Sequence, residues 1–174
     1  MPSRRFDETV LPHLEAAFNY ARWLTRDDAE AEDVVQDACV RAIRFFGSLR
    51  EDDARAWLLA IVRNTWYSRI ARRTPDTQSM PMSDSVLEPP DTALNPEGLL
   101  LRQDAIARVH QALDGLPVDF REVIVLREIE GFSYKEIATV IKAPIGTVMS
   151  RLARARERLL AALQRPPTQI ENAQ

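Results

Sequence analysis

The chain has 174 residues, of which 45% are hydrophobic and 28% are charged, so one domain or two small domains with proper cores can form. No apolar run approaches the roughly 20 residues of a membrane helix, and the polar first residues do not resemble a signal peptide. A single cysteine, Cys39, excludes disulfide bonds within the chain, and the two histidines have no ligand partners at metal-binding spacing. We therefore expect a cytoplasmic protein with no metal and no cofactor.

The net charge of −3 conceals a segregation of charge along the chain. Residues 27–37 carry six acids and no base, whereas residues 41–73 carry eight arginines against three acids. Residues 142–158 carry five bases and one acid. Alternating blocks of opposite sign indicate more than one macromolecular partner, although ordinary solvated helix faces would produce the same blocks.

Three helices are predicted in the N-terminal half, and no strand pair is indicated. Apolar residues at helical spacing predict the first helix over residues 7–24 and the second over residues 29–46, with Gly47 as its C-terminal stop. The apolar side of the second helix is predicted to include Ile43 and Phe46.

The third predicted helix, residues 53–73, is apolar almost all round, which is typical of a helix that is buried or docked on a partner. Three of its aromatic residues could serve either the core or a binding surface. We assign Trp57 to the core and leave both interpretations open for Trp66 and Tyr67.

Residues 74–96 interrupt the helical pattern with five prolines among Asp, Ser, Thr and Met, which is typical of a flexible linker. Helical periodicity resumes over residues 97–113 and again over residues 118–130, where Pro117 precedes the helix and Gly131 ends it. The predicted fold is all-α, with two small helical domains, residues 7–73 and 97–163, joined by the flexible linker.

A helix-turn-helix unit is predicted after Gly131. Ser133 and Glu136 have the spacing of a capping box, which starts a short helix with Ile137, Ala138 and Ile141 turned inward. Pro144 then suits the first position of a longer basic helix. A short helix, a tight turn and a basic helix are typical of this DNA-binding motif, in which the second helix enters the major groove.

Helical geometry divides the basic helix into faces. Val148, Leu152, Ala155 and Leu159 fall on one narrow seam, which must be core. The outermost side chains of a helix in the major groove read bases, whereas the flanks touch phosphates. This predicts base contacts from Met149, Ser150, Ala153 and Arg154, and phosphate contacts from Arg151, Arg156 and Arg158; a solvated arginine-rich helix is the alternative.

Three stretches together resemble the extracytoplasmic-function (ECF) group of bacterial RNA polymerase sigma factors. They are LPVDFREVIVLREIEGFSYKEIATVIKAPIGTVMSRLARARERL (116–159), AEDVVQDACVRAI (31–43) and RAWLLAIVRNTWYSRIARR (55–73). The resemblance covers most of the chain outside the linker and the two ends. It implies that the two domains are sigma region 2 and sigma region 4, and that the protein directs core polymerase to promoters without being an enzyme.

The resemblance also implies three binding surfaces. Region 2 would bind the clamp helices of the polymerase beta-prime subunit and would capture an unstacked base of the minus-ten element with the loop at residues 47–54. Region 4 would bind the beta flap and the minus-thirty-five element. The implied polymerase-binding residues are Asp33, Gln36, Asp37, Arg41 and Arg44; the minus-ten residues are Arg63, Asn64, Tyr67, Arg69, Arg72 and Arg73; and the minus-thirty-five residues are Thr147, Met149, Ser150, Arg151, Ala153, Arg154, Arg156 and Arg158.

Members of this group commonly act in envelope or other stress responses under an anti-sigma factor, which the resemblance therefore implies as a further partner. One alternative is a helix-turn-helix regulator that senses a signal and does not bind core polymerase. The acidic second helix and the arginine-bearing third helix argue against a sensor domain. Another alternative, an enzyme acting on nucleic acid, lacks a carboxylate cluster, a nucleophile with a base and a phosphate-cradling loop.

Overall fold

The computed structural model describes residues 2–73 and 96–166, and within these ranges the chain is helical and contains no strand. The N-terminal unit consists of α1 (Pro2–Val10), α2 (Leu14–Thr25), α3 (Asp28–Phe45) and α4 (Ala54–Arg72). The C-terminal unit consists of α5 (Pro96–Asp114), α6 (Val118–Ile124), a π-helical turn (Val125–Ile129), α7 (Tyr134–Ile141) and α8 (Ile145–Gln164). The all-α prediction is confirmed.

The prediction of one continuous helix over residues 7–24 is wrong. A 3₁₀ turn, Leu11–His13, separates α1 from α2, and Pro12 stands within it. Proline lacks the amide hydrogen that an α-helix requires at an interior position, and its ring clashes with the preceding turn. The helical spacing of apolar residues continues across the break, which is why the periodicity concealed it.

The turn between α2 and α3 is defined by polar backbone contacts. Arg26 ends α2 in the left-handed region with φ 60°, and its N–H donates to the Arg22 carbonyl at 2.8 Å. The Asp27 carboxylate then accepts a hydrogen bond from the Glu30 amide at 2.8 Å and so caps the N-terminus of α3. These contacts orient α3 so that its apolar side packs on α2 and α4.

One assignment within the predicted N-terminal core needs correction. Ile43 is 62% exposed and does not belong to the core, whereas Phe46 is partly buried and packs against the core as predicted. Trp57 is half-buried against the core, whereas Trp66 is only 4% exposed and is a true core residue. The fully buried centre of this unit is formed by Val10, Ala17, Tyr20, Leu24, Val34, Ala38, Leu58, Leu59 and Val62.

The C-terminal unit follows the predicted helices closely. The predicted helix over residues 118–130 is present, but its second half forms the π-helical turn, and Gly131 follows with φ +71°. Most of the predicted linker, residues 74–95, lies outside the described residues, and Pro96 is the first residue of α5. Pro144 is the N-cap of α8 rather than its first helical residue.

The two units pack against each other. Helix α2 contacts α6 and the π-helical turn, and α4 contacts α7. The buried apolar residues of the two units join into one core cluster. No helix in the described ranges is long and apolar enough to cross a membrane.

Candidate nucleic-acid and polymerase interfaces

Helix α8 presents the predicted division into a buried seam and an exposed face. Val148, Leu152 and Ala155 are buried, and Leu159 packs against the core at its edge. The opposite face is open to solvent, and Met149 on it is 53% exposed. The predicted base-reading residues that share this exposed face are Met149, Ser150, Ala153 and Arg154.

Both reciprocal hydrogen bonds of the capping box that starts α7 are present. The Ser133 hydroxyl accepts from the Glu136 amide at 3.1 Å, and the Ser133 amide donates to Glu136 Oε2 at 2.7 Å. Lys142 ends α7 in the left-handed region with φ 53°, which turns the chain toward α8. The helix-turn-helix geometry therefore rests on local contacts that the sequence pattern identifies.

Two of the basic residues on the flanks of α8, Arg156 and Arg158, are held by contacts within their own unit. Arg156 forms an ion pair with Glu128 of the π-helical turn, with Nη2 2.5 Å from Oε1. The Arg158 guanidinium lies 4.8 Å from the centre of the Phe120 ring. Both side chains remain exposed, so they are presented beside the outer face in defined orientations.

A pocket of about 520 Å³ lies at the loop between α3 and α4, where capture of an unstacked base is predicted. This volume is within the range of small-ligand sites, roughly 300–1,000 Å³. The pocket is lined by residues of the loop and of α1, and the contribution of α1 was not predicted from the sequence. The lining residues are Arg5, Thr9, Phe46, Gly47, Leu49 and Arg50.

The predicted minus-ten residues on α4 are spread along the helix rather than gathered at this pocket. A helix of this length places Arg72 about 27 Å from the loop end at Ala54. Asn64 lies midway and is half-buried. Trp66 is buried, and its ring contacts Tyr67 edge to face with centroids 4.8 Å apart. Sequence analysis left the choice between core and binding surface open for Trp66 and Tyr67. Trp66 is a core residue, whereas Tyr67 is partly accessible to solvent.

The arginines at the end of α4 pair with the acids of α3. Arg69 Nη1 donates to Asp37 Oδ2 at 2.7 Å, and Nη2 of the same side chain lies 3.9 Å from Asp33 Oδ2. Arg73 Nη2 lies 2.6 Å from Glu30 Oε1. The negative charge of residues 27–37 is therefore partly neutralised by arginines of α4. These arginines are distant in the sequence, so the pairing could not be predicted from neighbouring residues.

The exposed side of α3 combines charge with apolar surface. Asp33, Gln36, Asp37 and Arg44 are exposed, and Arg41 is partly buried. Beside them Val40 and Ile43 are 60% and 62% exposed. Apolar residues grouped with charges on one helix face are typical of a protein-binding surface.

Arg63 is placed differently from the other predicted minus-ten residues. Its Nε and Nη2 atoms donate to the two oxygens of the Glu122 carboxylate at 2.8 and 3.0 Å, across the contact between the units. Tyr20 Oη donates to the same carboxylate at 3.0 Å. Sequence analysis missed both Glu122 and Tyr20, because they are 102 positions apart and no local pattern links them.

Burial and their contacts with Glu122 shift the pKa values of Tyr20 and Arg63. Burial and the nearby Glu122 charge raise the pKa of Tyr20 well above its ordinary value, so the hydroxyl stays protonated and donates. Burial by itself would lower the pKa of Arg63, but the hydrogen bonds and charge of Glu122 outweigh it and raise the pKa. The carboxylate is thus held by two partners that both keep their protons.

Comparisons with known proteins agree with this architecture. Residues 9–75 match the family description "Sigma-70 region 2", and residues 106–159 match "Sigma-70, region 4". The RNA polymerase sigma-H factor of Pseudomonas aeruginosa is 40% identical over 169 residues, which cover 92% of this chain and 87% of that protein. The ECF RNA polymerase sigma-E factor of Escherichia coli K12 is 37% identical over 135 residues, covering 74% of this chain and 71% of that protein.

Two solved structures are similar over most of the chain. The sigma factor RpoE from Bartonella quintana, determined in complex with the anti-sigma factor NepR, has a TM-score of 0.76 at 29% identity and covers 94% of this chain and 99% of its own. CnrH, determined in complex with the cytosolic domain of CnrY, has a TM-score of 0.64 at 28% identity, with 92% and 88% coverage. The chain belongs to the sigma-70 family of RNA polymerase sigma factors, within the ECF group, and is a transcription initiation factor.

Proposed function

We propose that the protein binds core RNA polymerase through α3, opens and holds the minus-ten element with α4 and the loop before it, and reads the minus-thirty-five element with α8. The observation that carries this proposal is the outer face of α8, which is exposed opposite a buried seam and is supported by a capped helix-turn-helix. Region 2 would comprise residues 7–73 and region 4 residues 97–163, and the protein would act in the cytoplasm, where its polymerase is found.

On α8, Arg154 is the side chain best suited to specify a base. It lies on the exposed face, and an arginine can form two hydrogen bonds to guanine in the major groove. Arg156 and Arg158 are held at the flanks by Glu128 and Phe120, which suits phosphate contacts. Thr147 and Arg151 are partly buried near the start of the helix and extend the same surface.

On α3, the exposed acids and the adjacent Val40 and Ile43 suit docking on the beta-prime clamp helices. Such a partner would cover the apolar residues and face the carboxylates with basic groups. Region 4 would in turn contact the beta flap.

In region 2, the pocket lined by Gly47, Leu49 and Arg50 suits capture of an unstacked minus-ten base. Asn64 and Tyr67 on α4 would line the path of the separated strand, and Arg72, whose side chain is exposed, would hold its backbone. Arg69 and Arg73 would contribute after exchanging their α3 partners for phosphates.

Control by an anti-sigma factor, as part of an envelope or other stress response, is included in the proposal. The RpoE structure contains the anti-sigma factor NepR, and CnrH is bound to the cytosolic domain of CnrY. The similarity over more than nine-tenths of this chain supports a partner of the same kind.

The test is a promoter selection with holoenzyme reconstituted from core polymerase and the full chain. The parent should select a defined minus-thirty-five sequence from a randomised library. Arg154→Ala should change the preferred base at one or two positions, because a bidentate arginine contact is worth roughly 1–3 kcal/mol of discrimination.

Arg158→Ala is the matched control on the flank of the same helix. It should weaken binding to all sequences about equally and reduce the salt dependence by about one phosphate contact. Unaltered sequence preference with Arg154→Ala would show that α8 docks in another way, and failure of the parent to support initiation would refute the function itself.

A further inference from the structure

The pocket beside the α3–α4 loop has a second wall that does not belong to the loop. Capture of an unstacked minus-ten base is proposed for the loop, but two residues of α1 complete the same pocket. They are Arg5 and Thr9, which we call the α1 wall. A base held by the loop would therefore also face side chains of the first helix.

The α1 wall is held in place by the buried stripe of its own helix. Phe6 and Val10 lie one turn apart and are 8% and 0% exposed. The Phe6 ring meets the Phe46 ring of the loop edge to face, with centroids 5.3 Å apart. Arg5 and Thr9 precede Phe6 and Val10 by one position each, so they form the adjacent stripe. The packing of Phe6 on Phe46 thus sets the α1 wall against the loop.

The pocket is basic as well as large enough for a nucleotide. Among the described residues that line it, two are arginines, Arg5 and Arg50, and none is acidic. A guanidinium is a planar fork of N–H donors that stays charged and has no acceptor. A nucleotide offers acceptors on both its phosphate and its base edge, so two such forks suit it. The volume of about 520 Å³ lies well within the range that holds ligands larger than one base.

The two arginines differ in how firmly their backbones are fixed. Arg5 stands on α1, next to the buried Phe6. Arg50 has extended backbone, with φ −89° and ψ 133°, between the 3₁₀ turns Phe46–Ser48 and Glu51–Asp53. A site built on a helix is held more precisely than one built on a loop. Arg5 therefore suits recognition of a base edge, and Arg50 suits a contact to the adjoining phosphate.

The chemistry of the guanidinium limits the bases that Arg5 can recognise. Two parallel hydrogen bonds require two adjacent acceptors on one edge of the base. Guanine offers O6 and N7, and an unpaired cytosine offers O2 and N3. Adenine and thymine alternate acceptors with N–H donors along the same edges, so they accept only one bond. The Thr9 hydroxyl both donates and accepts, and it can accept a hydrogen bond from the amino group of guanine or cytosine.

We infer that the α1 wall selects the base captured in the pocket, with Arg5 recognising guanine or cytosine and Arg50 holding the adjoining phosphate. The inference rests on the proposed function, which brings the melted minus-ten strand to this pocket. It makes α1 a specificity-determining element of region 2. A change in α1 then alters the preferred minus-ten sequence although α3 and α4 stay the same.

The test uses holoenzyme reconstituted from core polymerase and the full chain. Its affinity is measured for pre-melted promoters in which each minus-ten position carries each of the four bases in turn. The parent should prefer guanine or cytosine at one position by about tenfold or more, because a bidentate arginine contact discriminates to that extent. Arg5→Ala should reduce this preference to within about twofold and leave the other positions unchanged.

Two further variants separate base recognition from general positive charge. Arg4→Ala removes the neighbouring arginine, whose Nε lies 3.3 Å from Glu8 Oε1 and which does not line the pocket, so the preference should persist. Arg5→Lys keeps the charge but loses the fork of donors. It should keep the overall affinity within about threefold and still lose the preference.

The outcomes distinguish this inference from the function on which it rests. A preference that survives both Arg5 variants, or a parent that shows none or prefers adenine or thymine at the captured position, would overturn the inference while initiation by the parent stands. Equal loss in Arg4→Ala and Arg5→Ala would overturn it too, because charge alone would then explain the effect. A parent that fails to initiate at any promoter would refute the proposed function and the inference with it.

Discussion

Arg69 of α4 and Asp37 of α3 form a 2.7 Å hydrogen-bonded ion pair that joins a residue proposed to hold DNA to one proposed to bind polymerase. Asp33 lies 3.9 Å from the same guanidinium. The two proposed binding surfaces of region 2 are therefore neighbours that share an electrostatic contact.

Charge reversal on α3 should weaken binding to core polymerase. We expect Asp33→Lys with Asp37→Lys to reduce affinity, since basic groups on the partner would then face lysines instead of carboxylates. Competition for core polymerase at fixed salt measures the effect. Arg69→Ala is the control, because it removes the ion pair but keeps both acids, and it should bind polymerase as well as the parent.

Equal losses in the double-lysine and Arg69→Ala variants would contradict docking through the carboxylates. They would indicate instead that the α3–α4 ion pair supports the shape of region 2. Unchanged affinity in the double-lysine variant would exclude this face from the polymerase contact.

Gly131 and Gly47 should respond differently to alanine, although neither site has an atom within 4 Å of the position of an added Cβ. Gly131 has φ +71° at the end of the π-helical turn, where a side chain is strained by about 1–2 kcal/mol. We expect Gly131→Ala to lower the free energy of unfolding by about that amount, and Gly47→Ala to change it by less than about 0.5 kcal/mol. Urea unfolding monitored by circular dichroism gives both values, and equal effects would contradict a backbone cause.

Much of the C-terminal unit could be predicted from the sequence because its signals are local. The capping box at Ser133 and the seam of α8 are set by spacings of three and four residues, which sequence displays directly. Exposure of Ile43 could not be predicted in this way. Periodicity identifies an apolar face but not whether that face meets the chain's own core or a partner.

The contact between the two units could not be predicted from local sequence patterns. Glu122 is 59 positions from Arg63 and 102 from Tyr20, so only the packing of α2 and α4 on region 4 brings them together. In the sequence Glu122 is one of several charged residues on an amphipathic helix, and its ordinary expectation is exposure to solvent.

Glu130 should make the stability of the packed protein depend on pH. Burial raises the pKa of Glu130, although Arg55 and a hydrogen bond with Asn19 oppose the shift and Glu15 reinforces it. The folded state therefore binds the Glu130 proton more tightly than the unfolded state does. The free energy of unfolding falls as pH rises through the pKa of the Glu130 carboxyl group. We expect Glu130→Gln to have a melting temperature close to the parent at about pH 4 and higher than the parent at about pH 7.

Thermal unfolding of parent and variant in matched buffers at each pH gives this difference directly. Because Glu130 is only half-buried, solvent screening should keep the effect small. A melting temperature of Glu130→Gln that falls below the parent as pH rises would show that the ionised carboxylate is stabilising, contrary to the direction of its pKa shift.

Asn64 should act in promoter opening rather than in polymerase binding. It lies on α4, half-buried, between the loop pocket at Gly47 and the arginines at the end of the helix. An amide side chain there can hydrogen-bond to the edge of an unstacked base, and such a contact forms only after the duplex has opened. We expect Asn64→Ala to reduce transcription from a duplex promoter while leaving affinity for core polymerase within about twofold, because α3 is unchanged.

A pre-melted promoter separates base recognition from the cost of melting. If Asn64 contacts the unstacked base, Asn64→Ala should lose binding to pre-melted and duplex promoters to a similar extent, since the missing contact stabilises the same open state. Ser68→Ala is the matched control one helical turn further along α4, where the side chain is also partly buried, and it should retain activity on both templates. Loss of polymerase binding by Asn64→Ala would instead show that Asn64 supports the packing of α4, and its assignment to promoter DNA would be withdrawn.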